Sequence, residues 1–149
     1  IYNVKAPEGN TYKIVTEAKK ISKCDIAKAG SDINIKALLA LGNIDHGKMV
    51  FKKCYSCHSV SKDGGNKIGP ALWGIIGRKV GSIDNYKYSK AMKEFGKTWD
   101  FDSMNTFLVK PKNFVKGTKM AFVGLKEEKD RASVILYLNE QSDSPLPLP

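Results

Sequence analysis

No run of about 18 apolar residues occurs in this chain of 149 residues, so nothing in it reads as a membrane-spanning helix. Soft metal ligands are scarce: three cysteines and two histidines, with no second C-x-x-C and no H-x-x-x-H. The paired spacing usual in structural zinc sites is therefore missing. No alternation of strand and helix patterns appears, which leaves a thioredoxin-like redox pair without its βαβ setting. Groove-reading motifs and base-stacking aromatic clusters are also absent, so the basic charge does not point to nucleic acid. Nothing repeats internally. No signal peptide is visible, and the chain starts at Ile1, which leads us to expect further sequence upstream.

What is present is lysine, and one pentapeptide. Lysine and arginine number 25 against 15 acidic residues, for a net charge of +10. From Gly42 onward 16 Lys and 2 Arg face 11 Asp and Glu, so most of the excess lies there. A basic surface of this kind speeds encounter with an acidic protein surface and weakens with salt. Hydrophobic residues make up 42%, enough for one compact core.

Cys54-Tyr55-Ser56-Cys57-His58 is the C-x-x-C-H signature of c-type haem attachment. Two thiols bonding the two vinyl groups on one porphyrin edge must lie about a helical turn apart on one face. The histidine directly after the second thiol is then held where its imidazole ligates iron. A zinc site drawing on Cys24, His46, Cys54 and Cys57 is the main competitor. A Cys54–Cys57 disulfide would close so small a loop that it would stabilise little. Cys24 is left over as a spare thiol.

Along the chain, residues 1–41 read as a lysine-rich linker arm. It carries a strand hint at Tyr12-Lys13-Ile14-Val15 and a short apolar helix around Ala37-Leu38-Leu39-Ala40-Leu41. A helix is expected from near Asp45, as N-cap, to Cys57. Gly47 on it is small enough to let another helix cross closely. Residues 59–85 are glycine-rich loops. A short helix fits Ser89–Phe95, and another, capped by Asp102, fits Ser103–Val109 and must end before Pro111. The last helix opens at Glu127 and Glu128, with Val134, Ile135 and Leu138 as its apolar face. Residues 142–149, rich in proline, cannot continue it and are expected to be a mobile tail. Helices and glycine loops without strands make an all-α domain over 42–141.

An iron held by one histidine has an opposite face to fill. Met49 shares the cysteine helix, and Met92 and Met104 lie within expected helices as core residues. Met120 sits on a loop, Lys116-Gly117-Thr118-Lys119-Met120, that can aim one side chain inward. It is the better candidate from spacing, with a core methionine as the alternative. His46 starts the helix that carries the thiols and is the weaker choice. His/Met coordination raises the reduction potential and fills the sixth position, which favours electron transfer over oxygen activation.

Residues 42–141 resemble class I cytochromes c of the mitochondrial type and their bacterial relatives. The resemblance rests on Gly47-Lys48-Met49-Val50-Phe51, the haem motif, Ile68-Gly69-Pro70-Ala71-Leu72-Trp73-Gly74, Gly77-Arg78-Lys79, Tyr86-Lys87-Tyr88-Ser89, Thr98-Trp99, Pro111-Lys112 and Gly117-Thr118-Lys119-Met120-Ala121-Phe122. It implies a fold of four to five helices wrapped around one covalent haem c, with His58 and Met120 on the iron. Pro70 would accept a hydrogen bond from His58, and Arg78, Tyr88, Trp99 and Thr118 would hold the buried propionates. Gly47 and Phe51 would meet the last helix near Tyr137. Phe107 departs from the mitochondrial pattern, which has a tyrosine there. Residues 1–41 are similar to the tether of membrane-anchored bacterial cytochromes c of the cy type.

The resemblance implies a monomeric, periplasmic electron carrier rather than an enzyme, anchored to the inner membrane by sequence upstream of Ile1. It would run between a bc1-type quinol–cytochrome c reductase and a terminal cytochrome c oxidase. Lys53, Lys67, Lys112, Lys119 and Lys126 would surround the haem edge near Cys57 and orient the acidic partner. The competing classes are a small haem peroxidase and a zinc or thiol module.

Overall fold

The computed structural model describes residues 34–149, which fall within one compact unit beginning at Ile33. The expected strand at Tyr12–Val15 and the spare thiol of Cys24 lie outside the described residues. Six helices form among those described: α1 (Ile35–Ala40), α2 (Ile44–Phe51), α3 (Lys90–Glu94), α4 (Phe101–Val109), α5 (Pro111–Phe114) and α6 (Glu128–Glu140). None is long and apolar enough to cross a membrane. Strands are missing from this part of the chain, where only a single bridge pairs Lys79 with Thr98. The domain is all-α, as the pattern of helices and glycine loops led us to expect. The helix beyond the expected four or five is α5, a single turn with Pro111 at its start, where a missing N–H costs nothing.

The most extensive helix contact is between α2 and α6. It is possible because Gly47 lacks a side chain: a Cβ there would overlap the main chain of Ser133 and the Cβ of Tyr137. Phe51, one turn on, packs against Tyr137 with ring centroids 5.5 Å apart. The expected apolar face of α6 is the buried one: Val134, Ile135 and Leu138 are all at most 5% exposed.

Helix α1, read from sequence as part of a linker, instead packs on α6 and buries Leu38 and Leu39. Gly42 follows so closely that a Cβ would touch Leu136 and the main chain of Ala132.

Two helix starts differ from expectation. Asn43, not Asp45, caps α2: its backbone is extended and its side chain accepts from His46 N–H at 3.0 Å, while its own N–H donates to Ser133 Oγ. Asp100, not Asp102, caps α4, in a reciprocal box with Ser103. In both cases the acidic residue chosen from sequence lies inside the first turn, where its charge still favours the helix N-terminus.

Residues 142–149 form no helix but are not free. Asn139 donates to Leu146 O at 2.9 Å and accepts from Leu146 N–H at 3.0 Å. Asp143 pairs with Lys62 at 2.7 Å. A mobile tail was expected because composition shows only that the helix must stop.

Candidate functional site

Helix α2 ends at Phe51, short of the expected Cys57, but the chain keeps turning. Tyr55 N–H donates to Phe51 O at 3.0 Å and His58 N–H to Cys54 O at 2.9 Å. These turns present both thiols and the imidazole to a cavity of about 490 Å3, within the roughly 300–1,000 Å3 typical of cofactor pockets. Its walls come from distant parts of the chain: Phe51 from α2, Leu72 and Ile75 from the glycine loops, Leu108 from α4 and Leu138 from α6.

His58 is held from two sides. Its Nδ1 lies 2.7 Å from the carbonyl of Pro70, which fixes the ring and leaves Nε2 as the available ligand atom. Gly69 lies flat against the imidazole, so that any Cβ would collide with the ring. Burial pushes the His58 pKa below its ordinary value, and the charges of Arg78 and Lys67 add to this against the Pro70 hydrogen bond. The outcome is a neutral imidazole with a free lone pair, the form that binds metal. Burial and the neighbouring Cys57 push the Cys54 thiol up to about 11, with Lys53 acting the other way.

The other residues singled out from sequence converge on the same cavity: Cys54, Cys57, Pro70, Arg78, Tyr88, Trp99, Thr118 and Met120 all line it. Arg78 donates to Ala71 O and Trp73 O. Tyr88 Oη accepts from Ile83 N–H at 3.3 Å, which leaves its own hydrogen to donate. Thr118 Oγ1 accepts from Met120 N–H at 3.3 Å. Phe107 packs on Trp99 with centroids 4.8 Å apart and also lines the cavity.

Met92 and Met104, expected only as core, line it too. Met49 is 58% exposed and lies elsewhere. His46 is turned to Asp130, with Nε2 2.7 Å from its carboxylate, and takes no part in the cavity.

Among the lysines, Lys53 and Lys119 line the cavity. Lys67 lies beside the thiol segment, its Nζ donating to Tyr55 O at 2.9 Å and resting 4.1 Å from the Tyr55 ring. Lys112 and Lys126 are exposed but do not line the cavity.

One positioning residue escaped the sequence reading. Asn66 accepts from Ala71 N–H at 2.9 Å and donates to Asn85, which ties two loops of the rim together. An asparagine in a glycine-rich stretch reads only as a turn residue, so no local signal marks it.

The donor set suits a haem. Two thiols, one imidazole and three thioethers line a mostly apolar space together with the guanidinium of Arg78, the phenols of Tyr86 and Tyr88, and the hydroxyls of Ser89 and Thr118, with Lys53 and Lys119 also lining it. An all-α domain built around such a space is a covalent haem protein. The cytochrome c family model matches residues 44–142. A cytochrome c homolog of Rickettsia bellii is 44% identical over 132 residues, covering 89% of this chain and 75% of that relative. Cytochrome c of Gibberella zeae is 50% identical over 105 residues, covering 70% of this chain and 99% of that protein. The solved structure of cytochrome cH from Methylobacterium extorquens superposes with a TM-score of 0.61 at 38% identity, covering 66% of this chain and 99% of its own. The chain belongs to the cytochrome c family: it is a monohaem electron carrier with covalently attached haem c, not an enzyme.

Proposed function

We propose that His58 and Met120 are the two axial ligands, and that the protein carries single electrons from a bc1-type reductase to a terminal cytochrome c oxidase. The supporting observation is the one cavity into which the loop of Met120 and the thiol segment of His58 both open. Haem bound there supplies a one-electron iron couple. The chain's part is to hold it by Cys54 and Cys57, to present a neutral imidazole fixed by Pro70, and to offer a thioether, which raises the potential. Met120 is preferred to Met92 and Met104 because it lies on an irregular segment, free to turn inward, whereas the other two sit within α3 and α4.

The site of action we propose is extracytoplasmic, where bacterial cytochromes c typically work, with the protein a monomer tethered to the inner membrane through sequence preceding the haem domain. Acidic docking surfaces on both partners would meet the rim marked by Lys53, Lys67 and Lys119, with Lys112 and Lys126 further out.

Met120→Ala in the haem-loaded protein is expected to abolish the sulfur-to-iron charge-transfer band of the oxidised state. Met92→Leu and Met104→Leu should keep it. A band that survives Met120→Ala and disappears in either of the others overturns the ligand assignment.

A further inference from the structure

Arg78 enters the cavity with its terminal nitrogens committed to two main-chain carbonyls, Ala71 O at 2.9 Å and Trp73 O at 3.3 Å. These carbonyls belong to an irregular segment, so contacts from elsewhere must place them. The Ala71 end is held locally, through Asn66 and through Leu72 N–H donating to Ser59 O at 2.8 Å.

The Trp73 end is held from the far end of α6 and beyond. Gly74 N–H donates to Gln141 O at 2.8 Å, and the Trp73 indole N–H donates to Asp143 Oδ2 at 3.2 Å. Asp143 is itself drawn to Lys62 at 2.7 Å. Leu146, paired twice with the buried Asn139, lies against Gly77, where a Cβ would touch its side chain at 3.4 Å.

We propose that residues 142–149 are a strap that positions Arg78, with Asp143 acting through Trp73, and that the strap thereby sets the reduction potential. The inference rests on the haem reading above. A guanidinium at the cavity favours the reduced iron over the oxidised one, since the two differ by one positive charge. Arg78 keeps its charge despite partial burial. With Asp143 removed, Trp73 loses its side-chain tether and keeps only the Gly74 N–H bond to Gln141 O, about which its carbonyl tilts. The guanidinium then gives up an acceptor and turns toward water, so the potential falls.

The sign of the shift separates this from a simple field effect. Deleting a negative charge near the iron would by itself raise the potential, whereas releasing the strap lowers it. The test is the midpoint potential of the haem-loaded protein in Asp143→Ala and Trp73→Phe, with thermal unfolding followed in parallel. Trp73→Phe removes the indole N–H and changes no charge. A downward shift in both, and no further fall when they are combined, is expected. The Trp73 indole N–H should also exchange with solvent faster in Asp143→Ala. An unchanged or raised potential in Asp143→Ala, or additive shifts in the double variant, overturns the strap and leaves the haem assignment standing. Wild-type protein that matures without attached haem overturns both.

Discussion

A Cβ at Gly47 would overlap the carbonyl of Ser133, a residue with no solvent exposure, so neither partner has anywhere to go. Alanine would gain roughly 0.5–1 kcal/mol of helix propensity. Pushing α2 and α6 apart costs about 1–3 kcal/mol, and the second effect should win. Gly47→Ala is therefore expected to lower the denaturant midpoint. Gly65→Ala, with nothing within 4 Å of its Cβ position, should change stability by less than about 0.5 kcal/mol. The role of Gly47 was legible from sequence because it shares a short amphipathic helix with Phe51. Gly69 was quoted as part of a motif, but its contact with the His58 ring is a meeting of loops that spacing does not show.

Helices α4 and α6 are joined by a residue that sequence reading passed over. Arg131 looks like one more surface cation near the start of a charged helix, yet it is 4% exposed. It donates from Nε to Asn105 Oδ1 and from a terminal nitrogen to the carbonyls of Leu125 and Lys126, all at 2.8 Å. It thus fixes α4, α6 and the strand of chain entering α6. Arg131→Met keeps much of the apolar stem but leaves three acceptors without their donor, at about 1–3 kcal/mol for each that water cannot reach. A loss of at least about 2 kcal/mol is expected in equilibrium unfolding, with haem attachment unaffected. Helix existence was legible here, since apolar spacing and acidic first turns mark α4 and α6. Which Asx residue caps α2 was not: Asn43 is chosen because its N–H finds Ser133, 90 residues away.

Across the whole molecule, the parts legible in sequence are those that covalent attachment demands at fixed spacing, namely Cys54, Cys57 and His58. Met120 was legible from its place on a loop, and the other scattered lining residues only through the ordered segments shared with other cytochromes c. The docking of α1 on α6 and of the tail on Asn139 was not legible, because polar and proline-rich composition reports helix propensity and is blind to a packing partner. The charge excess makes a prediction at this scale. Lys119→Glu, at the cavity rim, should slow electron transfer to an oxidase several-fold at low salt, and Lys112→Glu less. The rates should converge on wild type as ionic strength rises in stopped-flow measurements. Equal slowing by both, or none, would remove the rim from docking. The segment carrying Met120 hangs between two posts, Thr118 N–H on Val115 O and Leu125 N–H on Leu108 O at 2.7 Å. Between them only the Met120 amide donates a main-chain N–H hydrogen bond to another described residue. Lys119 Nζ on Lys87 O and the packing of Met120 and Phe122 on the core add to the hold on that span, all contacts that would open without parting the helices. Access to that side of the cavity would then call for a local opening rather than for unfolding of the domain.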